Sequence, residues 1–188
     1  MDAIELNLPH ANLYLIRHYV KDTERMFEYL KSHLSWLRDE DLPHSPSMCN
    51  MGTDYLASSG RFRIGQKIDP LVLKLMNQLN DEFNVMMNSC FAILYETGNA
   101  ELPYRSHATP SLDYDQPILS IAYGASSTVT FKDTYSDEEF DFVLSDGDLL
   151  IMPDLCQKNY FNAVKRSDQY TSPRLSLSFR RFNDGVFY

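Results

Sequence analysis

The chain has 188 residues, 44% of them hydrophobic and 23% charged, a composition suited to one folded domain with a sizeable core. No run approaches the ~20 consecutive apolar residues of a membrane-spanning helix, so a helical membrane protein is excluded and no membrane partner is expected. Seventeen basic against 26 acidic residues leave a net charge of -9, which repels polyanions at long range and excludes a high-affinity, non-specific nucleic-acid binder, though not a local basic groove.

The N-terminus, with Asp2 and Glu5 where a secretory signal carries positive charge, points to an intracellular protein, cytoplasmic or nuclear. Cys49, Cys90 and Cys156 are odd in number and widely spaced, so neither a disulfide framework nor a four-cysteine zinc site can be written from them. Met26, Phe27, Leu30, Leu34 and Leu37 recur at three- and four-residue steps, predicting a first helix from Asp22 to about Leu37 with Asp22 or Thr23 as N-cap. The proline-containing, charged stretch Arg38 to Ser47 must then be a loop. Short strands are expected around Asp54 to Ala57 and Arg61 to Ile64. A second helix opens at Asp69-Pro70, with Leu71, Leu75, Leu79 and Phe83 as its expected buried stripe.

After Asn88 the period changes, and β-branched and aromatic runs alternate with Gly, Asp, Asn and Pro punctuation. Strands are predicted near Cys90 to Tyr95, Ile118 to Tyr123, Thr128 to Phe131, Phe140 to Leu144, Leu149 to Met152, Tyr160 to Val164 and Leu175 to Phe182. So many short strands suggest a β-sandwich or barrel. The expected fold class is therefore α+β, mainly β, with two N-terminal helices packed on one face of the sheets.

The glycines fit neither the P-loop nor the dinucleotide spacing, and no G-x-S-x-G elbow occurs. His10, His18, His33 and His44 read as ordinary helix-side or loop residues, and the three cysteines as buried thiols, with Cys156 the best placed for reactivity. The C-terminal half carries a more specific signal. Asn88-Ser-Cys-Phe-Ala-Ile-Leu-Tyr95-Glu-Thr-Gly98 is followed by Leu102-Pro-Tyr-Arg105-Ser-His107-Ala-Thr-Pro110, then by Pro117 to Phe131 and by Asp146-Gly-Asp-Leu-Leu-Ile-Met152. Cys156-Gln-Lys-Asn-Tyr-Phe-Asn162-Ala-Val164 and Pro173-Arg174-Leu-Ser176-Leu-Ser178-Phe-Arg180 complete the set.

In order and spacing these pieces resemble the AlkB-like family of iron(II) and 2-oxoglutarate dependent dioxygenases, from about Ser59 to Arg181. The resemblance implies a double-stranded β-helix, or jelly roll, in a single AlkB-like domain over residues 1–188. Residues 1–58 would be an N-terminal helical extension and 59–181 the lid and jelly-roll core. It also implies that Tyr95, Arg174 and Arg180 hold 2-oxoglutarate or another anion, since residues i and i+6 of a strand share a face.

The family holds iron with His-x-Asp and a distal His. The best register puts Arg105, His107 and Asn162 at those three positions, so every ligand is substituted and no catalytic or metal-ligating residue is assigned. Rescue would need Asp113, Asp115 or Asp154 to swing in. The segment corresponding to the family's nucleic-acid lid carries Arg61, Phe62, Arg63 and Lys67, an aromatic interleaved with three basic residues.

Three readings follow. The first is a pseudoenzyme that has lost iron and binds RNA, DNA or a protein partner, with no cofactor required, 2-oxoglutarate an optional ligand and iron(II) not expected. The second is an active oxygenase, of nucleic-acid demethylase type, with a non-standard metal site. The third is a structural or interaction domain of a larger assembly. The sequence leaves the oligomeric state open.

Overall fold

A computed structural model of the chain describes residues 2–38, 44–57, 60, 62–106 and 109–183. The N-terminal part runs β1 (Ile4–Leu8), β2 (Ala11–Ile16), α1 (Thr23–His33), β3 (Ser47–Gly52), β4 (Tyr55–Leu56), β5 (Phe62–Arg63) and α2 (Pro70–Phe83). Then follow β6 (Ser89–Tyr95), β7 (Leu102–Arg105), β8 (Ile118–Gly124), β9 (Ser127–Asp133), β10 (Glu139–Leu144), β11 (Leu149–Met152), α3 (Asp154–Asn159), β12 (Tyr160–Val164) and β13 (Arg174–Arg180).

A seven-stranded sheet in the order β1-β2-β11-β8-β13-β6-β3 stacks against a four-stranded sheet in the order β10-β9-β12-β7. Every strand pairing in both is antiparallel. One core lies between the sheets, built from Leu13, Leu15, Phe91, Ile93, Tyr95 and Leu150 on the larger and Val129, Phe131, Tyr160 and Val164 on the smaller. A second core lies on the outer face of the larger sheet, where Phe27 and Leu30 of α1 and Val72, Leu75, Met76 and Leu79 of α2 cover Cys90, Ala92, Leu94, Leu175, Leu177 and Phe179. The fold is thus a jelly roll with two helices on one face.

This double covering explains why β6 and β13 are buried at every position. It also sorts β13 by the two-residue period of a strand: Leu175, Leu177 and Phe179 pack under the helices, and Arg174, Ser176 and Ser178 turn into the barrel.

Helix α2 starts as expected, with the Asp69 carboxylate accepting the N–H groups of Leu71 and Val72 at 2.8 and 3.3 Å and Pro70 in its first turn. Its buried stripe is Val72, Leu75, Met76 and Leu79. Leu71 is exposed and Phe83 half-buried, because the face presented to the sheet lies one position further round. Helix α1 stops at His33, earlier than the periodicity suggests. Leu37 leaves the helix to bridge Met48 and is itself exposed.

The expected helical extension over residues 1–58 is corrected more substantially. Its described residues carry one helix, and β1, β2 and β3 belong to the larger sheet. Leu13 and Leu15 alternate into the core at a period of two, so this segment builds the barrel itself.

Candidate functional site: a guanidinium-lined barrel interior

The site lies where β6, β7, β12 and β13 face one another. Tyr95 and Arg174 are cross-strand partners on β6 and β13, and the Arg174 guanidinium carbon stands 5.3 Å from the Tyr95 ring centre. Arg174 also donates from Nη1 to the Ser127 hydroxyl at 2.7 Å. Burial holds the Tyr95 hydroxyl above the ordinary phenol range, against the opposing pull of Arg174 and Arg105.

Four residues along the same face of β6, the Phe91 ring is shared by two cations. The guanidinium carbons of Arg105 and Arg180 lie 5.5 and 5.2 Å from its centre. Arg105 enters from the smaller sheet, where β7 pairs with β12 and Arg105 is the register partner of Asn162. Burial and the repulsion of Arg180 and Arg63 lower Arg105 to about 10, partly offset by Tyr95 and Tyr55, so the side chain stays protonated at neutral pH.

Between the sheets is a cavity with about 40 Å³ open to the centre of a water-sized sphere, lined by Tyr95, Arg105, Asn162, Arg174, Ser176 and Ser178 with apolar neighbours. That is room for roughly three ordered waters. The Nε atoms of Arg105, Arg174 and Arg180 are buried without a hydrogen-bond partner. Among the described residues none of the three has a carboxylate within ion-pairing distance. Buried cations without counter-charge favour an anion in the space they enclose.

The sequence-selected residues are thus brought together in part. Tyr95, Arg105, Asn162 and Arg174 line one cavity, and Arg180 joins them through Phe91. His107 lies outside the described residues, as does Arg61. Of the lid residues, Phe62, Arg63 and Lys67 are exposed, and Phe62 is 52% accessible. The β4–β5 hairpin that carries the first two is tied to β3 by Gly52 N–H to Gln66 O and Gln66 N–H to Asn50 O, both 2.8 Å.

Phe91 was missed by sequence reading, because an aromatic inside an apolar strand looks like ordinary core. Its position four residues before Tyr95, on the same face, was the available signal.

A metal ion needs lone-pair donors, and among the described residues no three His, Cys, Asp or Glu side chains cluster to supply them. Arg105 has none to give, and the Asn162 amide is a weak ligand for iron(II). Asp154 is turned to Lys158 at 3.2 Å, and Asp113 caps its own turn by accepting the Asp115 N–H at 3.0 Å. The described donor set does not fit iron(II).

The chain belongs to the 2OG-Fe(II) oxygenase superfamily, whose family model matches residues 13–183. Within it the chain is an AlkB-like member. It is similar to the alpha-ketoglutarate-dependent dioxygenase alkB homolog 3 of Bos taurus, 24% identical over 177 aligned positions that cover 86% of this chain and 62% of that protein. An uncharacterized protein of Acanthamoeba polyphaga mimivirus is 26% identical over 118 residues, covering 62% of this chain and 61% of that one. The chain therefore spans about three fifths of the length of these curated relatives. The solved structure of OsALKBH1 superposes with a TM-score of 0.66 at 17% identity, over 95% of this chain and all of that one. No helix among the described residues is long and apolar enough to cross a membrane.

Proposed function

We propose that this chain is an AlkB-like protein that has given up iron-dependent oxidation and acts by binding, with a nucleic acid as its partner. The observation that carries the reading is the cross-strand pair Arg105 and Asn162. By the family resemblance these are the first and last iron-ligand positions, with His107 between them in sequence. A fixed cation and an amide replace two imidazoles, and the buried guanidinium repels a divalent ion at contact distance.

The lid supports a nucleic-acid partner. Phe62 and Ile64 are exposed beside Arg63 and Lys67, giving one aromatic face for base stacking, an adjoining aliphatic side chain and two cations for phosphates. With a net charge of -9 elsewhere working against it, such binding depends on this local patch and falls steeply with salt.

Calorimetry on anaerobic protein with iron(II) and 2-oxoglutarate, followed by a succinate assay on the same sample, tests the first half. The expected result is no stoichiometric iron binding and no succinate above a protein-free control. Stoichiometric iron with turnover would establish an active oxygenase with a non-standard ligand set. Fluorescence anisotropy with a single-stranded oligonucleotide tests the second half, and Arg63→Ala and Lys67→Ala should each weaken binding and flatten its salt dependence. Salt-insensitive or absent binding would point instead to a protein partner.

A further inference from the structure

One face of the β4–β5 hairpin is applied to the barrel. Tyr55 and Arg63 are cross-strand partners, so their side chains share a face, and Phe62, paired with Leu56, lies on the other. Tyr55 is 4% exposed and stacks on Phe182, with ring centres 4.3 Å apart and planes 11° from parallel. Phe182 lies two residues past Arg180 and is fixed by the Asn88 side chain, which accepts its N–H and donates to its carbonyl, both at 2.9 Å. Arg63 is therefore carried on the barrel-facing side of the hairpin, beside the Tyr55–Phe182 stack.

At that end of the barrel three guanidiniums converge. Arg105 and Arg180 share the Phe91 ring at 5.5 and 5.2 Å. After burial, the charges of Arg180 and then of Arg63 lower Arg105, which puts both within electrostatic reach of it. The three differ in depth. Arg63 is exposed, Arg105 half-buried and Arg180 buried, and the Nε atoms of the last two lack a hydrogen-bond partner. Among the described residues no carboxylate forms an ion pair with any of them. They make a path of positive charge that runs from the lid surface inward and ends on unsatisfied donors.

This path selects its ligand by charge and by shape. A phosphodiester within a strand carries one charge and continues in both directions, so it stays at the surface. A terminal phosphate monoester carries about 1.5 to 2 negative charges at neutral pH and three acceptor oxygens. With chain on one side only, it can enter a recess end-on and accept from two guanidiniums at once.

We propose that the lid and the adjoining barrel end form a receptor for the terminal phosphate of a single-stranded nucleic acid, with Arg63 at the entrance and Arg105 and Arg180 holding the phosphate. The inference rests on the reading of a nucleic-acid partner and names the feature of the strand that is recognised.

The test is fluorescence anisotropy on the full chain at one fixed salt concentration. Three single-stranded oligonucleotides of one sequence carry a 5′-phosphate, a 3′-phosphate or hydroxyls at both ends, with the label on an internal base so that neither end is blocked. A phosphate at one of the two ends should raise affinity about tenfold or more over the hydroxyl-ended strand. Arg105→Gln should bring that ratio close to one. Lys67→Ala, which removes a lid cation outside the path, should weaken all three strands alike and keep the ratio. Arg63→Gln, at an exposed position, should also reduce the ratio and gives a second variant should Arg105→Gln not fold.

A ratio that survives in folded Arg105→Gln would overturn the inference, as would displacement of the phosphorylated strand by inorganic phosphate at a comparable concentration. Equal, measurable affinity for the three strands overturns this inference alone and leaves the proposed function standing. Absence of binding to all three overturns the nucleic-acid partner and this inference with it.

Discussion

Arg105 and Asn162 are register partners on the paired strands β7 and β12, so a permanent cation and a neutral amide face the interior of the barrel side by side. One member of the pair is charged, buried at Nε and without a described carboxylate, and this sets the energetics of the site. Removing an uncompensated buried charge is commonly neutral or stabilising.

Arg105→Met should therefore raise stability to urea, by about 1–3 kcal/mol. Burial lowers Arg105 to about 10 in the folded chain, well below the ordinary arginine range of the unfolded chain. The folded state thus binds its proton less tightly, so the penalty is fully present at every pH below about 10 and is relieved as pH rises through that value. The advantage of the variant should be flat across neutral pH and shrink above about 10, read from denaturation midpoints. A less stable variant would show that Arg105 has an anionic partner within the chain.

The lid hairpin sits close against β3, and a Cβ on Gly65 would lie 1.9 Å from the Gly52 carbonyl oxygen. Gly65→Ala must displace the hairpin, while most of both cores lies elsewhere. Oligonucleotide affinity is expected to drop with only a small change in melting temperature. An unchanged affinity would remove Phe62 and Arg63 from the binding surface.

Asp148 is fully buried and accepts three hydrogen bonds: from Arg17 Nη1 at 2.5 Å, from the His18 N–H at 3.1 Å and from the Ser145 N–H at 2.8 Å. It pins the end of β2 to the turn between β10 and β11. Asp148→Ala leaves two backbone donors without a protein partner and should cost about 2–4 kcal/mol in equilibrium unfolding.

All three cysteines are free and buried. Burial pushes Cys49 up to about 11 and Cys156 up to about 12, and raises Cys90 further. Native protein at neutral pH should react slowly or not at all with a thiol-disulfide reagent, and release three equivalents once unfolded in urea. Rapid modification of Cys156 would single it out as accessible and activated.

The strands from β8 onward were legible because each is a short apolar run between turn residues, and Leu149–Met152 and Tyr160–Val164 fall where the pattern puts them. Five elements were not: β1 and β2, which sequence reading takes into a helical extension, and β3, β7 and α3. Ser47–Gly52 mixes Cys, Asn and Met, residues of weak strand preference, and is strand only because it pairs with β6. Leu102–Arg105 contains Pro103, which a sequence reading takes as loop and which an edge strand tolerates; β7 is that edge. Asp154–Asn159 is too short to show a helical period.

At the candidate site the spacing of Tyr95, Arg174 and Arg180 carried through to a shared face. The bridging role of Phe91 depends on a contact between sheets that no local pattern encodes.

Strand β13 is the last element among the described residues, yet it lies in the interior of the larger sheet, between β8 and β6. During synthesis both of those strands wait with open hydrogen-bonding edges until residues 174–180 leave the ribosome, so the larger sheet is completed only once β13 has emerged. Until then the growing chain presents an unfinished, apolar sheet, the kind of surface that invites self-association and chaperone capture. A stop codon shortly before Arg174 would accordingly not yield a smaller version of the same fold. It would leave the sheet without the strand that joins its two parts.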